Sequence, residues 1–292
     1  MLFVAMIICA QTSVSVAPIL KVGDQKIYHT ETVANYSGKT IKTGGDLQVS
    51  IKEKLPEGYL MGYEVVSLQN DTTVQDAVTR ILGMASEMLK NSRIELTTDK
   101  TGYVTGINNM NEVKENINAT IQVMADELFQ SFPDAANIMS KEKLTEQLMC
   151  NVSDDMILKT LRNITSPLTL NGKTIKTGDE ESFVSEHGVK MKRVYTVDTH
   201  NQVTAQSSVD MNKDDMKTFL LTQVERYLPG QADMLKDNLD MVLDSGLLKI
   251  DLTEKAVYVL NKDGWVKSIV VEKSTNLFGN KTATVSTVVL KN

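Results

Sequence analysis

The chain has 292 residues, 41% of them hydrophobic, with 31 Lys and Arg interleaved among 37 Asp and Glu for a net charge of −6. That length and composition suffice to bury a sizeable core. The mixed signs leave no basic stripe of the kind that tracks nucleic acid or an anionic membrane, so no nucleic-acid partner is expected.

Residues 1–10, MLFVAMIICA, are apolar but too short to span a bilayer. They read as the apolar region of a signal peptide cleaved after Ala10, which makes the mature chain an exported protein, periplasmic or extracellular, with no transmembrane span. Cys9 leaves a second reading open, as the acylated residue of a lipoprotein, although Ile8 is not the small residue expected before such a cysteine. Once Cys9 is removed, Cys150 has no internal disulfide partner. At the end of an apolar helical face it reads as a buried, inert thiol.

Residues 22–36, 47–51 and 59–68 read as strands, punctuated by turns at Gly23-Asp24, Gly38, Gly44-Gly45 and Pro56-Glu57-Gly58. Connections this short cannot be parallel crossovers, so an antiparallel meander is predicted. Thr73 opens a helix with Asp76 completing its capping box, and Val74, Ala77, Val78, Ile81, Leu82, Ala85, Met88 and Leu89 lie on one apolar face. A hairpin follows, IELTTDKTGYVTGI at residues 94–107. From 111 to 163 the pattern is helical: one helix carries Val113, Ile117, Ile121, Met124 and Leu128 and stops at Pro133, and Ser140 and Ser153 cap two more. Strands return at 181–185, 189–197 and 202–209. A helix over 216–227 and another closed by Gly246 precede a second hairpin, AVYVLNKDGWVKSIVV at 256–271, and a last strand at 282–290.

Setting Gly102 on Gly264 aligns the two hairpins and also sets Tyr103 on Trp265, Leu96 on Tyr258 and Ile107 on Ile269. Both turns place glycine where a tight hairpin needs positive φ. GKTIKTG occurs at 38–44 and again at 172–178, while LKVGD at 20–24 resembles IKTGD at 175–179, and the two matches imply different offsets. The expectation is a single α+β domain over 11–292 made of two pseudo-repeats, about 20–110 and 170–292, joined by a helical segment at 111–165. Its fold class is α+β: a curved, half-barrel-like antiparallel sheet covered by helices and built from two related halves.

The sequence is poor in chemistry. GKT lacks the glycine five residues upstream that a phosphate loop requires, since Val33 and Pro167 stand there. His29, His187 and His200 have no paired spacing, so neither a metal site nor a cofactor is expected. No nucleophile elbow is present and Cys150 has no neighbouring His, which favours a non-catalytic protein. Asp154-Asp155 and Asp214-Asp215 suit helix starts, and Glu180-Glu181 reads as a solvated strand face. The 15 Met are the most suggestive feature, as adaptable core filler or as a lining for a flexible apolar ligand. Trp265, the sole Trp, reads either as core with its N–H bonded or as a stacking surface. The candidate ligand contacts are therefore Met84, Met88, Met124, Met216, Trp265 and Tyr103.

The apolar leader ending in Ala-Gln, the LKVGD turn and the Asp263-Gly264-Trp265-Val266 turn resemble uncharacterised secreted or envelope proteins of Bacteroidota-type bacteria. In architecture the chain is similar to lipoprotein carriers of the LolA/LppX kind, a resemblance that implies a curved sheet closed by helices over an apolar cavity and transfers no site residue. The expected function is binding of an apolar or amphipathic ligand, such as a lipid, between sheet and helices. The alternative is a surface module that contacts protein or glycan and holds no internal ligand.

Overall fold

The computed structural model describes residues 12–36, 39–70, 93–137, 139–150, 152–185, 188–200, 202–227, 239–241, 243–244, 250–277 and 279–291. The leader at 1–10, the helix expected from Thr73 with Met84 and Met88, and His187 lie outside them.

The first half contributes β1 (Ser13–Ser15), β2 (Gln25–Tyr36), β3 (Lys39–Leu55), β4 (Gly58–Asn70), β5 (Arg93–Asp99) and β6 (Val104–Ile107). Helices α1 (Met110–Ser131), α2 (Lys141–Cys150) and α3 (Asp154–Leu161) follow, with a 3-10 turn at Pro133–Asn137 where the proline stops α1. The second half holds β7 (Thr174–Lys176), β8 (Glu180–Val184), β9 (Lys190–Val197), β10 (Gln202–Val209), α4 (Lys213–Tyr227), β11 (Ile250–Leu260), β12 (Val266–Leu277) and β13 (Asn280–Leu290). Ser153 caps α3 by accepting from the Met156 amide, and Ser140 accepts from the Lys143 amide at the start of α2.

Eleven strands form one open, curved sheet in the order β6-β5-β4-β3-β2-β13-β12-β11-β10-β9-β8, every pair antiparallel. The fold class is thus α+β with a large open antiparallel sheet. Its edges, β6 and β8, are short, which limits the unpaired backbone offered to other chains. β2 to β6 run outward from the centre and β8 to β13 return from the far edge, so β2 and β13 meet in the middle. The succession β6-β5-β4-β3-β2 is matched by β12-β11-β10-β9-β8, with β13 between the two sets.

Backbone hydrogen bonds match as well. At the hairpin tips the Asp99 amide donates to the Tyr103 carbonyl (2.9 Å) and the Asn261 amide to the Trp265 carbonyl (2.7 Å), with φ of +82° at Gly102 and +80° at Gly264. Gly23 donates to Ile51 while Ile51 donates to Asp24; Gly178 donates to Tyr195 while Tyr195 donates to Asp179. The LKVGD and IKTGD segments therefore do the same structural job. The identical heptapeptides do not: residues 39–44 begin β3, whereas 172–178 form a turn, β7 and a second turn.

Gly44 and Gly45, read as a turn in the sequence, lie inside the 17-residue β3, in register with Gln69 and Leu68 of β4 and just before the register shift between Asp46 and Leu47. A Cβ on Gly45 would sit 2.1 Å from the Ser67 carbonyl, so glycine is there to admit the neighbouring strand. Cys150, expected to be buried, is exposed. The short α2 buries only Thr145 against α1, and Cys150 falls on the opposite side of that helix.

The concave face carries two apolar clusters. The central one joins Tyr28, Val49, Met61, Leu96, Tyr258 and Ile269 from the sheet to Val113 of α1, Ile157 and Leu161 of α3, and Leu168 and Leu170 from the segment before β7. The N-terminal arm closes it. β1 pairs with β7, Val16 is fully buried, the Ile19 amide donates to the Asp263 carbonyl (2.9 Å), and the indole N–H of Trp265 donates to the Ile19 carbonyl (3.1 Å). The second cluster lies under α4 and joins Val189, Met191, Phe219, Leu220, Ile250 and Leu252.

Candidate functional site

Alternation fixes which side chains point into the concavity. In β9, Met191, Arg193, Tyr195 and Val197 are buried, while Lys190, Val194 and Thr196 are exposed. One of the inward residues is an arginine, and the residues facing it across the sheet are polar too. Arg193 pairs with Glu181 of β8 on one side and with Ser207 of β10 on the other; Ser207 faces Glu254 of β11, Glu254 faces Lys273 of β12, and Lys273 faces Thr284 of β13. A single polar row thus crosses six adjacent strands. Next to it lie Phe183, Met191 and Leu252 of the second cluster, and on its other side Tyr195, Ala205, Ala256 and Val271 of the central core.

The row is tightly knitted around Arg193, whose side chain is 10% exposed. Nε donates to the Ser207 hydroxyl (3.0 Å), Nη2 donates to Glu254 (3.4 Å), Nη1 lies 3.6 Å from Glu181, and the guanidinium stacks 4.3 Å from the Phe183 ring. The second oxygen of Glu254, 14% exposed, is 3.3 Å from Lys273, itself 29% exposed. At the β8 end Glu181 accepts the Tyr195 hydroxyl (2.6 Å) and lies 3.7 Å from Lys173. Burial works against the Glu181 charge, yet the Tyr195 hydrogen bond with the Lys173 and Arg193 charges holds its carboxyl below the usual range. Burial and the Glu181 contact push the Tyr195 hydroxyl up to about 12.

Glu181 therefore corrects the reading of Glu180-Glu181 as one solvated face. Neighbours in a strand point to opposite sides: Glu180 pairs with Lys192 outside and Glu181 turns inward. Of the candidate contacts, the structure brings Met216 to the second cluster beside the row. Met124 is half-buried on α1, away from both clusters. Trp265 is 1% exposed in the central core, and Tyr103, under the Arg162 guanidinium at 4.9 Å, sits at the other hairpin tip. Sequence reasoning missed Arg193, Glu254 and Lys273, although each occupies the apolar phase of its strand, which is the one signal that could have found them.

Two clefts formed by the described residues lie elsewhere. One of about 380 Å³ between α1 and α2 is lined by Asn118, Gln122, Lys141, Thr145 and Glu146. The other, about 500 Å³, lies beside Gly23 and is lined by Gln48, Ser50, Lys52, Glu64 and Arg93. Neither includes a residue of the polar row. Among the described residues no group of His, Cys, Asp and Glu is placed to hold a metal, and no helix is long and apolar enough to cross a membrane.

No protein-family model and no curated protein matches the chain. Among solved structures it is similar to a lipovitellin chain described for its lipid–protein interactions, at 7% identity and a TM-score of 0.36 over 92% of this chain. It spans 25% of that lipovitellin chain. It is also similar to a porin-like protein from Bacteroides uniformis, at 9% identity and a TM-score of 0.20, over 91% of this chain and 96% of the other. Likenesses this small say nothing about activity.

Proposed function

We propose that this chain is a non-catalytic, exported binding protein that takes an apolar or amphipathic ligand between the concave face of the sheet and α4. One observation carries the reading: a second, methionine-containing apolar cluster lies under α4 with partly buried side chains at its rim. Phe183, Met211, Met216 and Leu221 are partly buried around buried Met191 and Phe219, in a cluster separate from the central core that the arm, α1 and α3 cover. Methionine-rich apolar walls adapt to flexible chains, and burying each further CH₂ of a ligand there is worth about 0.8 kcal/mol. Native mass spectrometry of the protein purified without detergent from its own host tests this. A retained lipid-sized adduct, displaced by a fluorescent fatty-acid probe, is expected; a bare chain that also leaves the probe unbound overturns the reading.

A second reading rests on the convex face, where Ile27, Val66, Val270, Val285 and Val289 are exposed. Val270 faces Val257, and Val285 faces Val33, so these residues gather over the sheet centre, as on a protein- or glycan-contacting module. Loss of cell-surface cross-linking in a Val270→Lys, Val285→Lys double variant, with any lipid adduct unchanged, would favour this reading.

A further inference from the structure

We propose that the cleft beside Gly23 is a saccharide-binding site on the convex face, and that it takes a neutral oligosaccharide lying across β3, β4 and β5. The inference rests on the second reading above, the surface module, and names glycan as its partner.

The cleft follows from alternation and one glycine. In β3, Leu47, Val49 and Ile51 point into the central core, so Gln48, Ser50 and Lys52 point out through the convex face. Register lines their neighbours up in two rows. Gln48 faces Glu64 of β4, which faces Arg93 of β5; Gln25 of β2 faces Ser50, which faces Gly62, which faces Glu95. Gly62 has no side chain to fill the second row, and a Cβ there would lie 2.6 Å from the Ser50 hydroxyl and 2.7 Å from Lys52 Cε. The notch so left is walled by the turn at Val22 to Asp24, which two backbone hydrogen bonds hold against Ile51. At about 500 Å³ the cleft falls within the roughly 300–1,000 Å³ of small-molecule sites, and described residues alone form it.

The lining selects the ligand. Lys52 is engaged by Glu95, 2.7 Å away. Gln48, Glu64 and Arg93 stand in one row, yet among the described residues their side chains make no hydrogen bond or ion pair. An amide, a carboxylate and a guanidinium with free donors and acceptors are planar, two-pronged groups, and they match the neighbouring hydroxyls of a sugar ring, each of which both donates and accepts. Charge is close to balanced, because Lys52 and Arg93 stand against Asp24, Glu64 and Glu95, so nothing there favours a multiply anionic ligand. Apolar side chains are confined to the rim: Val22, Ile27 opposite Gln48, and Val66 two residues on from Glu64, all exposed. They suit the C–H face of a pyranose and are too few to bury an acyl chain. With strands about 4.8 Å apart, the row from Gln48 to Arg93 is about 10 Å long, the span of two linked sugar rings.

Calorimetric titration of the full-length protein with cellotetraose, maltotetraose and chitotetraose, and with tetragalacturonate as the anionic comparator, tests the inference. At least one neutral tetrasaccharide is expected to bind with a Kd of about 0.1–1 mM, more tightly than tetragalacturonate. Glu64→Gln and Arg93→Gln each remove the charged member of a hydrogen bond and should weaken that binding about tenfold. Gly62→Ala should weaken it too, by driving Ser50 and Lys52 into the cleft, whereas the Val270→Lys, Val285→Lys double variant should leave it unchanged. If no neutral tetrasaccharide binds, or if tetragalacturonate binds more tightly than all three, the saccharide site is overturned; the surface-module reading then stands or falls separately on the cross-linking of the double variant. Binding that survives unaltered in Glu64→Gln, Arg93→Gln and Gly62→Ala places the sugar elsewhere and also overturns the site. Should Gly62→Ala misfold, Glu64→Gln, which keeps the size of the side chain, decides the matter.

Discussion

Gly264→Ala offers a direct measure of how the N-terminal arm is held. Gly264 has φ of +80°, and forcing alanine into that left-handed region costs roughly 1–2 kcal/mol. The new Cβ would also lie 2.6 Å from the Ala17 carbonyl oxygen, which is backbone and has no rotamer by which to withdraw. Relief requires the arm to lift, which breaks the Ile19 amide to Asp263 bond and the Trp265 indole to Ile19 bond. At about 1 kcal/mol each these add roughly 2 kcal/mol, for a total near 3–4 kcal/mol. Gly23→Ala is the matched control, because Gly23 has φ of +93° but nothing within 4 Å of its would-be Cβ, so only the conformational part, about 1–2 kcal/mol, applies. Urea unfolding followed by the fluorescence of Trp265, the sole tryptophan, reads both quantities at once. Gly264→Ala should also shift the native emission to the red, since the lifted arm admits water to the indole. If the two variants lose the same stability to within about 0.5 kcal/mol and the emission does not move, the arm is not held by this contact and the reasoning is refuted.

Three further outcomes are expected. Tyr258→Phe should cost about 1–2 kcal/mol in urea unfolding, because the buried Tyr258 hydroxyl donates to the Ile164 carbonyl at 2.7 Å and its loss leaves that oxygen unpaired. Burial raises the Tyr63 and Tyr195 hydroxyls from 10.0 to about 12, so the stability this confers is fully present below pH 10 and is lost as pH rises through 12. Alkaline unfolding curves should therefore fall over that window and flatten in Tyr63→Phe, as checked by phenolate absorbance and circular dichroism. Cys150 should react with a thiol reagent in the native protein at a rate close to that of the unfolded chain, and Cys150→Ser should change stability by less than about 0.5 kcal/mol.

Much of the fold was legible because its signals are local. Alternation marked β4, β9 and β10 to within a few residues and the turn-proximal halves of β11 and β12, Pro133 ended α1, and Ser140 and Ser153 capped where their hydroxyls allowed. Gly102 and Gly264 announced hairpins through the positive φ that those turns demand. Where one local signal served two physical needs, the reading went astray. Gly44-Gly45 looked like a turn, but the glycines answer to the Ser67 carbonyl of the next strand. GKTIKTG repeats letter for letter in unlike settings, while the weaker LKVGD and IKTGD match carries equivalent hydrogen bonds, because a turn depends on φ and bonding rather than on side-chain identity.

The candidate site was far less legible. Met216 was within reach of helical periodicity, but Glu181, Arg193, Ser207, Glu254 and Lys273 come from five strands, and nothing local to any strand names its opposite number. By itself the sequence determined which residues form strands, helices and tight turns, and which phase of each strand is apolar, because those depend on φ, on period and on neighbours a few positions away. Only the tertiary structure decided that β2 meets β13, that the arm seals the hairpin at Trp265, and that five out-of-phase polar residues line up as one row. Those are matters of register, which hydrogen bonds between distant strands fix and which alternation along a single strand leaves open.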